Sequence, residues 1–462
     1  MTARSRVPAG WYLPRGFLRQ YKGPVEASEN LVIALAQYLR RAKLKLRQLP
    51  VDAVAEVIDQ AAEYWLARCA NPSDPLLLQI SKTTGLSLPM VQRCLQAEQT
   101  SSRQPDLLRT LDSELGDRHC LDDFVWRGLD FRFQRALGPM LTFGVLPGNI
   151  PGLSHLPMMR SLLVKSAFLG KAASNEPLYA AAYAHSLARL HPTVGDAMAV
   201  VYWPGGQALL ERAAIEQSDA VIAFGSQNTV DTMASMTPRS KVFVGHGHKM
   251  GLVVVDARWV LRQKQEIQKL AMDVAMYDQA ACLAPQAIIS VGTRADARRL
   301  GRQLGQAMHE LHRSTLPAAG DLETRVRRRT WLDSMEMHGG DVVAQGDYGC
   351  VVLQPKASVL EPTCGGRAIQ IAAVSSDAAA VDQAEQWAPW LQNVALSVPR
   401  ARVRDLADAL AVLGCSRITR AGAMAFPSMR WHHDGMMTLA AMVRFCDVEG
   451  AAEMPLNNFF AM

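Results

Sequence analysis

The stretch DAVIAFGSQNTVDTMASM (Asp219–Met236) changes character at a single glycine. Before Gly225 it is a short apolar run carrying β-branched residues; beyond Ser226 it reads as a helix. A continuous apolar run of this length, closed by a turn, is the pattern of a strand covered on both faces, as in a parallel sheet. The same unit recurs on either side. MLTFGVLP (140–147) precedes a Gly/Pro turn and a helix over 154–166, and AMAVVYWPGG (197–206) precedes the helix QALLERAAIEQS. KVFVG and GLVVVD follow, and after Cys282 come the strand AIISVG, the helix ADARRLGRQLGQAMHELHR, then CVVLQP, AIQIAAV and VALSV. Strands alternating with helices imply a doubly wound α/β fold, here as two consecutive units.

Upstream the pattern differs. Over residues 26–116, ENLVIALAQYLRRAKLKL and VDAVAEVIDQAAEYWLARC place apolar residues every three to four positions, and PSDPLLLQISKTTGLSLPMVQRCLQ reads as two shorter helices. Helix-only character is expected to end near Gly138. The expected divisions are a helical N-terminal region (1–125) packed on the next domain, a nucleotide-binding domain (126–255), a catalytic domain (256–425), and a C-terminal segment (426–462) that returns to the nucleotide domain or an oligomer interface.

Composition narrows the function classes. The chain has 462 residues, room for two or three domains, and its net charge of +6 is small for that length. Basic residues gather in RRAKLKLR (Arg40–Arg47) and RVRRR (Arg325–Arg329). Each reads as a solvated helix face or loop, a nucleic-acid or phosphate patch being the alternative. The eight cysteines show no CxxC and no cluster, so reduced thiols in a cytoplasmic protein are expected. The histidine pairs His246/His248, His309/His312 and His432/His433 lie outside any HExxH, and no metal site is expected. The basic opening MTARSRVPAGWYLPRG lacks the apolar core of a signal peptide, and no apolar stretch reaches membrane-spanning length. Nucleic-acid binding and integral membrane association are therefore not expected.

Four places could carry chemistry. In LPGNIPGL (Leu146–Leu153) a tight Gly/Pro backbone would project the Asn149 amide, an N–H donor able to stabilise an oxyanion; an Asx-turn role is the structural alternative. In LGKAASNEP, Lys171 stands before a helix opening around Ser174, suited to a phosphate or ribose. The Gly225–Ser226 turn would present helix N–H groups to phosphate. In YDQAACLAPQAIISV, Cys282 sits between small residues at the mouth of a strand, either a nucleophile or a small buried hydrophobe.

The order of these pieces, with a Gly-His-Gly-His-Lys turn (245–249) before the cysteine, resembles the aldehyde dehydrogenase superfamily. GNIPG, AFGSQNTV, DQAACLAPQ and WHHDGMMTLAAMVRF together resemble, more closely, the LuxC-like fatty acyl-CoA reductases of bacterial luminescence, over roughly residues 125–450. The resemblance implies an aldehyde dehydrogenase-like fold with a Rossmann-type cofactor domain, an α/β catalytic domain and a helical N-terminal region. It implies an aldehyde-forming acyl-CoA reductase in which Cys282 accepts the acyl group of a long-chain acyl-CoA or acyl-carrier protein, Asn149 and the Cys282 N–H hold the oxyanion, and a nicotinamide hydride completes the reduction. A homo-oligomer working with an acyl-activating enzyme is the expected setting. Oxidation of an aldehyde with CoA or water as acceptor, or a non-catalytic acyl-transfer scaffold, are the competing readings.

Departures from the superfamily pattern refine this. Gly245 stands where hydrolytic members carry the glutamate that activates water, which favours thioester reduction over aldehyde oxidation; a backbone angle closed to other residues is expected there. Ser174, three residues after Lys171, replaces a ribose-binding glutamate and so favours NADPH. Val230 replaces the far glycine of the second phosphate turn. Glu361 in LEPTCGG is the candidate for the nicotinamide ribose.

Overall fold

The computed structural model describes residues 7–128, 132–355 and 359–449, so the first six residues of the basic opening and the end of the expected C-terminal segment lie outside it. The described chain gathers into two compact units. One takes residues up to 68, 98–247 and from 436 onward; the other takes 69–97 and 248–435. The helical region thus divides between them. Among the described residues no helix is long and apolar enough to cross a membrane.

The first unit is built on β3 (Leu141–Val145), β4 (Ala167–Lys171), β5 (Met198–Val201), β6 (Ala220–Phe224) and β7 (Val242–His246), all parallel in the order β5-β4-β3-β6-β7. Every residue of β3, β4, β5 and β6 is buried, which accounts for their unbroken apolar runs. The helix Glu29–Leu46 lies against this sheet and buries Leu31, Val32, Leu35, Ala36 and Leu39. A second, antiparallel sheet joins β1 (Val125–Arg127) and β2 (Arg132–Leu137) to β15 (Arg444–Val448). Of these strands, β1 and β2 fall where helix-only character was expected. The reason is non-local: β2 takes its outer partner from a segment some three hundred residues away, from Val448 opposite Phe133 to Arg444 opposite Leu137.

The second unit holds a seven-stranded sheet of β8 (Met250–Asp256), β9 (Pro285–Val291), β10 (Asp341–Gly346), β11 (Gly349–Leu353), β12 (Ala368–Val374), β13 (Leu391–Ser397) and β14 (Arg417–Arg420), ordered β10-β11-β12-β9-β8-β13-β14. All neighbours are parallel except the β10–β11 hairpin. Alternate residues feed two cores: Val253, Val255, Ile288 and Ile371 pack under the helices Lys264–Ala275 and Arg294–Ser314, while Leu252, Val254, Ile289 and Leu396 pack under Asp377–Glu385 and Arg400–Val412. The RVRRR run lies on the helix Leu322–Met337; Arg325, Arg327 and Arg329 face solvent, while Arg328 is buried and donates to the Gly346 and Asp347 carbonyls at 3.4 and 3.2 Å.

Candidate active site

In the first unit the loops leaving the carboxyl ends of the parallel strands gather five of the expected site residues. Strands β4 and β5 lie to one side of β3, β6 and β7 to the other, so the winding reverses between β3 and β6. The crevice at such a reversal is where open α/β sheets bind ligands. Asn149 stands exposed on the loop after β3, and Gly225 and Ser226 follow β6 directly. Lys171 ends β4, with the exposed Ser174 beyond it.

Specific contacts shape this rim. A Cβ on Gly148 would stand 2.0 Å from Asn175 Oδ1 and 2.5 Å from Ala173 Cβ, so only glycine lets the loops after β3 and β4 close on one another. At the loop's far end the buried His155 hydrogen-bonds the Gly152 carbonyl at 2.7 Å and Ser102 Oγ at 2.7 Å, and burial depresses its pKa to about 4, keeping the ring neutral. Ser226 caps the helix Gln227–Met236, its Oγ accepting from Thr229 N at 3.3 Å, and that helix's first N–H groups emerge at this end. Lys171 is buried, its amino group 5.8 Å from the Trp203 ring centre, and burial lowers its pKa against the opposing effect of Glu211. The carboxylate nearest in sequence, Glu176, is buried and accepts from Leu178 N and Tyr179 N at 3.1 and 2.9 Å. It is committed to a helix start. The rim thus combines a cation, exposed helix N–H groups and a glycine-lined approach, which fits a dinucleotide phosphate.

Val230 and Gly245 form a pair within this unit. Gly245 lies in β7 without a positive φ, so the expected backbone restriction is absent. The obstacle is packing: a Cβ there would meet Val230 Cγ1 at 2.7 Å and the Phe243 ring at 2.8 Å. The two departures from the superfamily pattern are therefore one contact.

In the second unit Cys282 lies on the turn entering β9, at the strand's amino end rather than its carboxyl end. The turn is unusual. Tyr277, Asp278 and Gln279 take φ of 57°, 45° and 63°, three successive non-glycine residues in the left-handed region, a conformation that costs roughly 1–3 kcal/mol per residue. Buried bonds hold it. Asp278 Oδ1 accepts from Arg367 Nε at 2.5 Å, its Oδ2 from Ala319 N at 3.0 Å, and its carbonyl from Gly366 N at 2.9 Å. The Gln279 amide donates to the Pro285 and Ala368 carbonyls at 2.9 and 2.8 Å, and Tyr277 Oη to the Ala425 carbonyl at 2.9 Å.

Cys282 is partly exposed, and burial of its sulfur pushes the thiol pKa up to about 12, with the Asp434 carboxylate adding to the rise. The backbone N–H groups of Cys282 and Leu283 and the side chain of Gln392 oppose it. Gln392, second residue of β13, also donates to Asp434 Oδ1 at 2.5 Å. One amide therefore serves both the sulfur and the carboxylate. Glu361 belongs to this unit as well, on an exposed segment fixed near β9 by Thr363, whose N–H and hydroxyl reach Gln286 Oε1 at 3.1 and 2.7 Å.

Arg367, Gln392 and Asp434 escaped the reading of the sequence. Only Arg367 leaves a trace there, as a lone cation opening the buried run RAIQIAAV; a charge so placed needs a buried partner.

Solved structures share this architecture. Aldehyde dehydrogenase 21 from Physcomitrella patens, in complex with succinate, matches with a TM-score of 0.73 at 12% identity over 92% of this chain and 91% of its own. An aldehyde dehydrogenase C mutant from Pseudomonas syringae, complexed with NAD+ and octanal, matches with a TM-score of 0.71 at 14% identity over 93% and 90%. The fold is that of the aldehyde dehydrogenases. Within it, a family model for acyl-CoA reductase (LuxC) matches residues 46–445, and the chain belongs to that family. Among its curated relatives are the long-chain acyl-protein thioester reductases of Photorhabdus laumondii, 25% identical over 351 residues (74% of this chain, 70% of the relative), and of Vibrio harveyi, 24% identical over 345 residues (73% and 70%).

Since burial keeps the proton on the sulfur, alkylation of Cys282 by iodoacetamide should accelerate about tenfold per pH unit from about pH 7 to about pH 9, without a plateau. Gln392→Met removes the N–H donor and should slow the reaction at each pH. Peptide mass spectrometry at Cys282 reads both; a plateau in this range would mean that the thiolate is already formed.

Proposed function

We propose that this chain reduces an acyl thioester to the aldehyde, through an S-acyl intermediate on Cys282, with a nicotinamide cofactor as hydride donor. The observation that carries the reading is the clamped left-handed turn, which spends strain on presenting one thiol. Family membership supports the substrate class: the relatives are reductases of long-chain acyl-protein thioesters, and a long-chain acyl group on CoA or a carrier protein is the substrate we assign.

Cys282 attacks the thioester carbonyl as its proton departs, forming a new C–S bond and expelling CoA or the carrier thiol, which takes up a proton. The N–H groups of Cys282 and Leu283 lie against the sulfur, where they can receive charge developing on the carbonyl oxygen. Asn149 keeps the oxyanion-donor role that its motif implies. The nicotinamide, when bound, supplies the hydride that reduces the acyl group. Collapse of the resulting hemithioacetal releases the aldehyde, and a proton taken from water restores the Cys282 thiol.

Lys171, Ser174, Gly225 and Ser226 are assigned to the cofactor's phosphates and ribose, and Glu361 to the nicotinamide ribose. NADPH is the favoured form. A 2′-phosphate beside Lys171 and the Ser174 hydroxyl meets no competing carboxylate from Glu176, which is held on backbone N–H groups.

Cys282→Ser should abolish NADPH-dependent reduction of acyl-CoA, because a hydroxyl without an adjacent base is a poor nucleophile. Asn149→Ala should lower kcat by about 10²–10³ while leaving NADPH affinity unchanged. Absorbance at the nicotinamide band reads both. Near-normal turnover of the serine variant would overturn the assignment, and weaker NADPH binding with unaltered kcat would move Asn149 to the cofactor site.

The Val230–Gly245 contact sets the test of the missing base. Gly245→Glu alone should destabilise the protein by about 1–3 kcal/mol through overpacking. Paired with Val230→Gly, it should hasten release of free acid from the S-acyl enzyme by about 10²–10⁴, the scale of general-base help to water. A wild-type protein that hydrolyses acyl-CoA faster than it reduces it would show that another residue supplies the base.

A further inference from the structure

The basic run Arg40–Arg47 is only partly the solvated face that its composition suggests: Arg41, Lys45 and Arg47 are exposed, whereas Lys43 is buried. Lys43 points inward from the helix Glu29–Leu46, is only 5% exposed, and among the described residues donates only a long hydrogen bond, to the Gly138 carbonyl at 3.5 Å. Beside it opens a cavity of about 530 Å³. Arg47, Arg135 and Lys165 line it with Asp122, and Leu44 and Pro50 supply an apolar wall.

The charges do not balance. Asp122 already accepts from Lys165 and from Val51 N at 3.0 and 3.3 Å, and Lys165 also donates to the Arg47 carbonyl at 3.3 Å. Arg135 donates to the Asp122 carbonyl at 2.7 Å and reaches the largely exposed Asp123 carboxylate at 3.5 Å. Its buried Nε has no partner among the described residues. Lys43 has no ion-pair partner there either, and Asp219, which acts on it from the start of β6, is paired with Arg40 at 2.8 Å. Three cations thus share one carboxylate in the cavity wall, with the buried Lys43 behind them. Lys43 and Lys165 are buried and Arg135 is half-buried beside the exposed Arg47, and gathering like charges at a partly desolvated place is unfavourable unless an anion joins them.

The location separates this cavity from the cofactor loops. Gly138 and Lys165 lie just before β3 and β4, at the amino ends of the parallel strands, whereas Asn149, Lys171 and Ser226 follow the carboxyl ends. We infer that the cavity is a second, non-catalytic binding site for a small molecule bearing a phosphate or diphosphate group. Guanidinium forks match phosphate oxygens in pairs, and the volume lies in the range of small-molecule sites. The phosphate can be inorganic or belong to a nucleotide whose ring rests on the Leu44–Pro50 wall.

Lys43 offers a pH signature. Burial, with Arg47, Lys165 and Arg135 adding repulsion and Asp219 opposing, pulls its pKa down to about 8. Its charge is then lost as the pH rises through that value, and anion affinity falls with it.

Calorimetric titration of the full chain, saturated with NADP+ to fill the nucleotide loops, with inorganic pyrophosphate and separately with ADP tests the proposal. Wild-type protein should bind pyrophosphate. Arg47→Glu, at an exposed position, should weaken that binding at least about tenfold, the scale of one charged hydrogen bond. Raising the pH from about 7.5 to about 9 should weaken it further, since Lys43 then discharges. Tighter binding of ADP than of pyrophosphate would assign the site to a nucleotide, and equal binding to the inorganic ion; both support it. No heat with either ligand, or binding unaltered by Arg47→Glu, would overturn it.

Discussion

The pairing of Arg367 with Asp278 is the interaction on which the second unit's chemistry rests. Both side chains are withdrawn from water, at 0% and 7% exposure, and the guanidinium also donates to the Leu316 carbonyl at 2.9 Å. Breaking a buried pair by removing one partner costs about 3–5 kcal/mol, because the other charge is stranded. The left-handed run costs about 3–9 kcal/mol over Tyr277, Asp278 and Gln279, so the pair acts with the bonds to Ala319 N, Gly366 N and the Pro285, Ala368 and Ala425 carbonyls in holding it. The run turns the chain so that Cys282 enters β9 beside the first residues of β13, where Gln392 meets its sulfur. Without the pair, the same sequence would relax toward an ordinary turn and the thiol would lose its setting.

The first unit depends on a different constraint, close approach. Its strands pack as uninterrupted apolar runs, and its rim closes only because glycine stands at 148, where any side chain would strike Ala173 and Asn175. Val230 against Gly245 shows the same economy. A valine in the first turn of the helix after β6 fills the space above β7, so a side chain at position 245 is excluded by packing.

Much of the fold was legible because buried parallel strands write themselves as β-branched runs; AVIAF, GLVVVD and AIISV each became a strand. The small sheet of β1, β2 and β15 was not, since its pairing joins segments at opposite ends of the chain and no local pattern encodes that. Asn149, Lys171, Ser174, Gly225 and Ser226 could be located because they end strands or lie on the loops that leave them. Cys282 too could be placed on a short turn before its strand, but the groups that surround it there could not. The turn is held by a left-handed run that residue type alone would not suggest for Tyr, Asp and Gln. The partners that fix it, Arg367 and Gln392, are brought close only by the order of strands in the sheet.

The central claim is that this clamped turn makes Cys282 the acyl acceptor. Incubating the full chain with a long-chain acyl-CoA in the absence of any nicotinamide, then measuring intact mass and mapping peptides, tests it directly. One acyl group per chain on the peptide bearing Cys282, displaced on adding NADPH, is the predicted result. An unmodified chain, or acyl groups carried instead by the partly exposed Cys364 or the exposed Cys446, would contradict it.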